Sequence, residues 1–513
     1  MKGGSPVKTK QLKRELLRTG MGFFLFAAGA TLVNGLLLPF AGARFGYPKL
    51  IVLLSFALAA GGFLLLGRRL SGMEEKRLER TAKRAKAAYL IVLFAAQVLL
   101  GWLLEYTPAG DNFMLFNGSK MLALEGDFTN YPDFGLYLAR FSNQWGFLLM
   151  MTGAFRALAA LGIQNFFMAF VVILAALHTL GFASLLSMAK RFRGARGQLM
   201  MIAILSLCLP VWLAASVLYT DTFSMPFVIL ALDCALRALT AQTGRRQAGF
   251  ALLCGALTLV GGQIKMTAAI VLMAAAIVWL LSMKPLRALA LALACFAMML
   301  GGGAAVRQVM LDRVIDPQVH AQQHTPTIHW IMMAIPTGDN PYGLNTGDYG
   351  ITWGMMDEGA TKQEVMDSIY TRMKDRIYTL RYPNRLVKAA LQKNASALCD
   401  GMFGLTEMLD DKPVRENFVS SFVLEGRRFY AVCGAVCTGI YLAHMLFALL
   451  GCLRDIRRRD VSLSPAYIAM FGMMLFLMIW EARSRYLLSF VPVLLLLSCA
   501  FLSRLPGRET DEE

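Results

Sequence analysis

Charge is scarce in this chain. Asp, Glu, Lys and Arg make up 16% of its 513 residues, 57% are hydrophobic, and mean hydropathy is +0.53. A soluble globular domain carries about 25% charge, so an ordinary soluble enzyme is excluded. Histidine is rarer still, at five residues, and the nine cysteines include no CxxC pair and no zinc-ligand spacing. Eight of them (208, 234, 254, 295, 433, 437, 452 and 499) fall in or beside apolar runs, and only Cys399 lies in a polar stretch, so no disulfide framework is expected. There is no GxGxxG or P-loop pattern, which argues against a cytosolic nucleotide-sugar site. Internal repeats and low-complexity tracts are absent too.

What is present is apolar sequence punctuated by basic clusters. The net charge is +18, with six Lys/Arg in the first 18 residues, eight in 68–87, four in 190–196 and four in 454–459. Positive charge flanking apolar runs reads as cytoplasmic anchoring of membrane helices, not as a nucleic-acid footprint. A bilayer core takes about 20 apolar residues per helix. On that rule spans fall near 19–40, 49–67, 88–105, 165–189, 198–218, 222–241, 248–264, 266–284, 286–307, 430–453, 462–482 and 486–503. The run 19–40 is too long for a signal-peptide core and reads as a retained first span. The basic segments then share one side, the cytoplasm, with both termini inside.

Residues 146–161 are apolar enough for a thirteenth helix but contain Arg156, and counting them would invert every later loop. They are read as re-entrant or interfacial. The expected fold is therefore an all-α polytopic membrane protein of about 12–13 transmembrane helices. It divides into a basic tail with two extra helices (1–87), a transmembrane core (88–307) carrying a first outer loop (105–145), a large extracytoplasmic loop (308–428), and C-terminal spans with a cytoplasmic tail (429–513).

Charges at the outer membrane surface are the informative residues, because each costs roughly 2.5–3.5 kcal/mol at mid-bilayer unless paired or wet. Asp111 follows Tyr106-Thr107-Pro108-Ala109-Gly110 directly outside a span. It suits a helix cap. It equally suits a carboxylate that takes a proton from an acceptor hydroxyl or binds a divalent cation. Asp221, in Tyr219-Thr220-Asp221-Thr222, has the same two readings. Lys265, in Gly261-Gly262-Gln263-Ile264-Lys265, runs against the positive-inside rule, as does Trp480-Glu481-Ala482-Arg483-Ser484-Arg485-Tyr486. The two arginines suit a phosphate or diphosphate; the plainer reading is a Glu481–Arg485 pair at i,i+4. Asp233 and Arg237 read as a structural pair, and His178 and His444 as core histidines. His320, His324 and His329 lack metal-site spacing, although His329 is a candidate substrate contact. Asn394-Ala395-Ser396 is a weak glycosylation sequon.

The order of Asp111, Tyr131-Pro132, Ser142-Asn143-Gln144-Trp145-Gly146, Tyr219-Thr220-Asp221, Gly262-Gln263-Ile264-Lys265 and the late Glu481-x-Arg483-x-Arg485-Tyr486 resembles the GT-C superfamily of membrane glycosyltransferases. The similarity is to the protein mannosyltransferase and aminoarabinose transferase group (glycosyltransferase family 39) and covers roughly 88–503. It implies an inverting transferase in the bacterial plasma membrane that moves a sugar from a polyprenyl-phosphate donor to an extracytoplasmic glycan, lipid or protein acceptor. By position Asp111 would be the catalytic or metal-binding carboxylate, with Mg or Mn as the candidate metal. Many relatives carry a second acidic residue where this chain has Asn112. Lys265, Arg483 and Arg485, with Glu481 and Tyr486, would hold the carrier phosphate. Asn112, Tyr131, Asn143, Gln144, Tyr219, Asp221 and His329 are candidate substrate contacts. Two other classes also use polyprenyl carriers. A polysaccharide ligase or polymerase would not require Asp111, and a flippase would carry charges through the depth of the bundle.

Overall fold

A computed structural model describes residues 6–409 and 414–506; the start of the basic N-terminal tail and the end of the C-terminal tail lie outside them. Among the described residues there is no β-strand. The helices of the first half are α1 (Pro6–Leu37), α2 (Phe40–Phe45), α3 (Lys49–Ser71), α4 (Glu75–Leu103), α5 (Gly110–Leu124), α6 (Pro132–Arg140), α7 (Trp145–Ala160), α8 (Phe166–Ser206), α9 (Leu209–Leu213), α10 (Thr220–Thr240) and α11 (Gly244–Ile264). They continue as α12 (Ala269–Ser282), α13 (Pro285–Arg313), α14 (Pro317–Gln323), α15 (Thr327–Met333), α16 (Asp348–Asp357), α17 (Lys362–Thr379), α18 (Pro383–Leu398), α19 (Ser420–Val423), α20 (Tyr430–Arg457), α21 (Ser464–Ile479) and α22 (Val491–Leu502).

Nine segments among the described residues are long and apolar enough to cross a membrane, and Met266–Ser282 and Ser464–Ile479 are shorter apolar helices. One of the nine, α8, is two helices. Arg193 (φ −141°) and Gly194 (φ +63°, ψ −161°) leave helical geometry. A Cβ on Gly197 would stand 2.5 Å from the Ala189 carbonyl oxygen. Residues eight apart on a straight helix are separated by about 12 Å, so the chain folds back here. Gly194 supplies the left-handed φ that this reversal needs. With both arms of α8 counted there are twelve apolar segments, as hydropathy predicts. The protein is a multi-pass, all-α integral membrane protein.

The basic segments gather at one end of the bundle. Lys190 pairs with Glu79 at 2.6 Å, and Arg196 donates to the Ser71 and Ser503 carbonyls at 3.3 Å each. Arg504 reaches Asp455 and Asp460 at 2.9 Å each. Asp233 takes the expected Arg237 at 2.9 Å and also Arg191 at 2.7 Å. Because α4 starts at this end and the first arm of α8 finishes there, α5, α6 and α7 between them make no net crossing. The 16-residue α7 packs on α5, α11 and α13.

At the other end, residues of α15, α16 and α17 form a small core of their own around Met332, Met333, Met356, Val365 and Ile369. Helix α18 lies against α1 and α2. Asn34 Nδ2 donates to the Leu391 carbonyl at 2.6 Å and to Asn394 Oδ1 at 3.0 Å. Asn394 is buried and donates in turn to Thr31, so the sequon is not presented to solvent. His178 and His444 are buried, bonded to the Thr222 carbonyl (2.9 Å) and the Ser498 hydroxyl (3.0 Å).

Candidate functional site

Asp111 sits in the first turn of α5. The cap position is Ala109, so the Asp111 side chain is not used as a cap. The helix dipole nevertheless favours a carboxylate there. Its Oδ1 accepts from the Tyr137 hydroxyl and its Oδ2 from the Tyr219 hydroxyl, each at 3.2 Å. Burial, and then the negative charge of Asp111, push both phenols well above their ordinary range, so they act as neutral donors.

Tyr219 is the residue preceding α10, and Asp221 lies in that helix's first turn. Asp221 again does not cap; its side chain, 4% exposed, forms an ion pair with Lys265. Lys265 is the extended residue (φ −151°, ψ 119°) at which the helical path breaks after α11. Its Nζ stands 3.9 Å from the centroid of the Tyr486 ring. Arg485, on the 3-10 turn Ser484–Phe490, is buried with its Nε 3.9 Å from Asp221 Oδ2. Its guanidinium lies over the rings of Tyr219 (5.2 Å) and Tyr486 (5.5 Å).

The Glu481–Arg485 ion pair, the plainer of the two readings of this segment, is not among the ion pairs of the described residues. Trp480 (ψ 175°) and Arg483 (φ −111°, ψ 123°) are extended, so i,i+4 neighbours are not brought together. Glu481 instead accepts from Arg483 Nε at 2.7 Å and from the Tyr486 hydroxyl at 2.8 Å. Burial raises the Glu481 carboxyl, but Arg483 and Arg485 outweigh it and hold the group below its ordinary value. Asp111, Asp221 and Glu481 thus share one end of the bundle with Lys265, Arg483 and Arg485, and Glu407 stands 3.5 Å from Arg483. Asp221 and Glu481 are in ion pairs, whereas Asp111 has no ion-pair partner within 4.0 Å among the described residues and is held by neutral hydroxyls.

The segment carrying Glu481 and Arg483 is pinned from several sides. Ala482 N donates to the Gly343 carbonyl at 3.1 Å, and Ser396 Oγ to the Ala482 carbonyl at 3.3 Å. Gly343 has φ +75°, and a Cβ there would meet the Ala334 carbonyl oxygen at 2.6 Å, so this residue must be glycine. Asp400 accepts from the Ser484 and Tyr47 hydroxyls at 2.8 and 3.0 Å, fixing the residue next to Arg485.

Other expected residues lie elsewhere. Asn112 is buried and donates to the Tyr106 hydroxyl, which accepts at 3.4 Å from Leu218 N; this ties α5 to the turn before α10. Tyr131 and Asn143 are exposed, Tyr131 against Phe134, and Gln144 is buried at the start of α7. His329 is fully buried, bonded to Thr352 at 3.0 Å and packed behind the Tyr349 ring. Burial takes it down to about 4. Tyr137 and Asp400 were not distinguished by sequence. A chain of rings through Tyr137, Phe141, Tyr349, Trp330 and Trp480 runs from the Asp111 side of the site to the Glu481 side.

No group of three His, Cys, Asp or Glu side chains among the described residues is placed to hold a metal ion.

The fold and the buried ionic cluster define a polytopic membrane protein with a polar site at one end of its bundle. Residues 137–504 match the family described as conserved hypothetical integral membrane protein, and the chain belongs to that family. No curated protein matches the sequence. Among solved structures, ArnT from Cupriavidus metallidurans bound to undecaprenyl phosphate is similar at 17% identity, over 80% of this chain and 77% of that one. The TM-score is 0.33, too low to carry an argument about fold or activity.

Proposed function

We propose that the protein is a glycosyltransferase of the outer face of the bacterial plasma membrane, taking its sugar from a polyprenyl-phosphate donor. The observation that carries this reading is Asp111, which has no ion-pair partner within 4.0 Å among the described residues and is oriented by Tyr137 and Tyr219, with Arg485 over the Tyr219 ring and Lys265 paired to Asp221 next to it. In the proposed step an acceptor hydroxyl gives its proton to Asp111. Its oxygen attacks the anomeric carbon from the face opposite the phosphate, and the bond from that carbon to the phosphate oxygen breaks with inversion. Polyprenyl phosphate leaves with the electron pair, and the cations stabilise its charge. A positioned base contributes about 10²–10⁴-fold, and preorganised charge in a water-poor site adds to that. The donor carries its own leaving group, so no nucleotide cradle is required. The ring chain from Tyr137 to Trp480 offers apolar faces for the sugar. The acceptor is an extracytoplasmic glycan, lipid or protein.

The test is turnover of a panel of polyprenyl-phosphate sugars by purified wild type and D111N, each with and without Mg or Mn. Donor turnover that falls at least a hundredfold in D111N supports the reading. Turnover untouched by D111N overturns it in favour of a ligase or polymerase, and donor binding without turnover moves it to a flippase.

A further inference from the structure

A cavity of about 760 Å³ opens between α15, α17, α18 and the end of α21. Its size is within the roughly 300–1,000 Å³ of ordinary ligand pockets. The walls are apolar, with Ile335, Ile377, Leu386, Ala390 and Met478 among them, yet three lining residues are cations and none is acidic: Lys374, Arg381 and Lys393. Lys393 is the informative one. It is 4% exposed, its ammonium donates only to the Ala334 carbonyl at 2.8 Å, and no carboxylate lies within ion-pairing distance among the described residues. An ammonium has three protons to satisfy, and a buried, uncompensated charge is costly. Burial lowers Lys393 to about 7. An anion in the cavity would supply both the missing acceptors and the missing charge.

The mouth indicates the source of that anion. Leu475 and Ile479, one turn apart on α21, are exposed and continue the pocket wall down the side of a membrane helix. The lining residues Ile377, Tyr378 and Leu386 are exposed, as are Tyr382 and Val387 beside them in sequence. Arg381 stacks on Tyr378 and Tyr382, at 3.8 and 4.4 Å from their centroids. Exposed apolar residues, tyrosines and arginines together are the chemistry of a bilayer interface.

The geometry points to a binding site for an anionic phospholipid of the surrounding bilayer, its acyl chain in the cavity and its phosphate among Lys374, Arg381 and Lys393. The pocket adjoins the site described above, since Ile479 is two residues before Glu481 and Lys393 packs on Gly343, whose carbonyl holds Ala482. The inference does not depend on sugar transfer being the activity.

The test is native mass spectrometry of the full chain after incorporation into nanodiscs of phosphatidylcholine and phosphatidylglycerol in equal amounts, followed by delipidation. Wild type is expected to retain phosphatidylglycerol about tenfold over phosphatidylcholine, and the exposed-site control K362Q to do the same. K393M and K374Q/R381Q lose the preference, and A390W, which fills the cavity without removing a charge, loses the lipid. A390W keeps the test open if K393M does not fold. Equal retention of both lipids, retention unchanged by A390W, or displacement of phosphatidylglycerol by an equal amount of polyprenyl phosphate would each overturn the inference.

Discussion

The hydroxyl of Tyr219 donates to Asp111 at 3.2 Å across 108 residues of sequence, joining the first turn of α5 to the residue that starts α10. Tyr137 makes the matching contact on the other oxygen. Both oxygens of this carboxylate, which has no ion-pair partner within 4.0 Å among the described residues, are therefore aimed by neutral donors, which orient it without neutralising it.

Y137F and Y219F each delete one of these contacts. Each is expected to lower donor turnover about tenfold, consistent with a hydrogen bond to a charged group being worth roughly 1.5–3 kcal/mol. The double variant should approach D111N rather than add to it. Steady-state rates of the four proteins check this; an inactive D111N beside fully active tyrosine variants would sink the orienting role.

Lys265 and Asp221 are a pair with little solvent access, 13% and 4% exposed. K265M leaves a buried carboxylate with only Arg485 at 3.9 Å, and should destabilise the protein by about 3–5 kcal/mol. The double variant K265M/D221L removes the orphaned charge and is expected to recover the melting temperature but not turnover. If it recovers both, the pair is scaffold only.

R483Q should act on donor affinity more than on the chemical step, raising KM with kcat within a few fold, because the Glu481–Arg483–Tyr486 set flanks the site without touching Asp111. A fall confined to kcat, read from full saturation curves, would contradict this.

Acid should loosen the α15–α17 region. His329 is neutral in its packed position, with Asp348, Arg372, Arg376 and Glu481 around it, and its folded value of about 4 lies below the ordinary 6.5. The unfolded chain binds its proton first, so the contribution of this group is complete above about 6.5 and is lost as pH falls through about 4. The opening equilibrium at α15 and α16, read from hydrogen exchange after division by the intrinsic rate at each pH, is expected to rise between pH 7 and 5 in wild type and to rise less in H329Q. Equal profiles would remove His329 as the cause.

The spans were legible because a bilayer demands about 20 apolar residues at a time, and the basic clusters between them meet at one end as the positive-inside rule implies. Asp111, Asp221, Lys265 and Arg485 could be singled out because charge is anomalous at that depth. Tyr137 could not: it is one of 15 tyrosines, and nothing in its local sequence separates a donor from a packing ring. The alternative pairing of Glu481 with Arg485 does not hold because i,i+4 spacing presumes a helix, and the helix ends at Ile479 with Trp480 and Arg483 outside helical geometry. The fold of 308–428 was hidden for a related reason. Its contacts, such as Gly343 with Ala482, join residues that share no local pattern.

The bond from Asn34 to the backbone of Leu391 spans 357 residues. At about 5–20 residues per second the ribosome delivers that partner roughly 20–70 s after α1 is made. For that interval the first helix waits in the membrane with its amide unmatched, and the sequence between has to thread and turn before the clasp can close. Closure of this clasp is thus set by synthesis of α18, and a ribosome stalled shortly before it would leave the spans already inserted without this fastening.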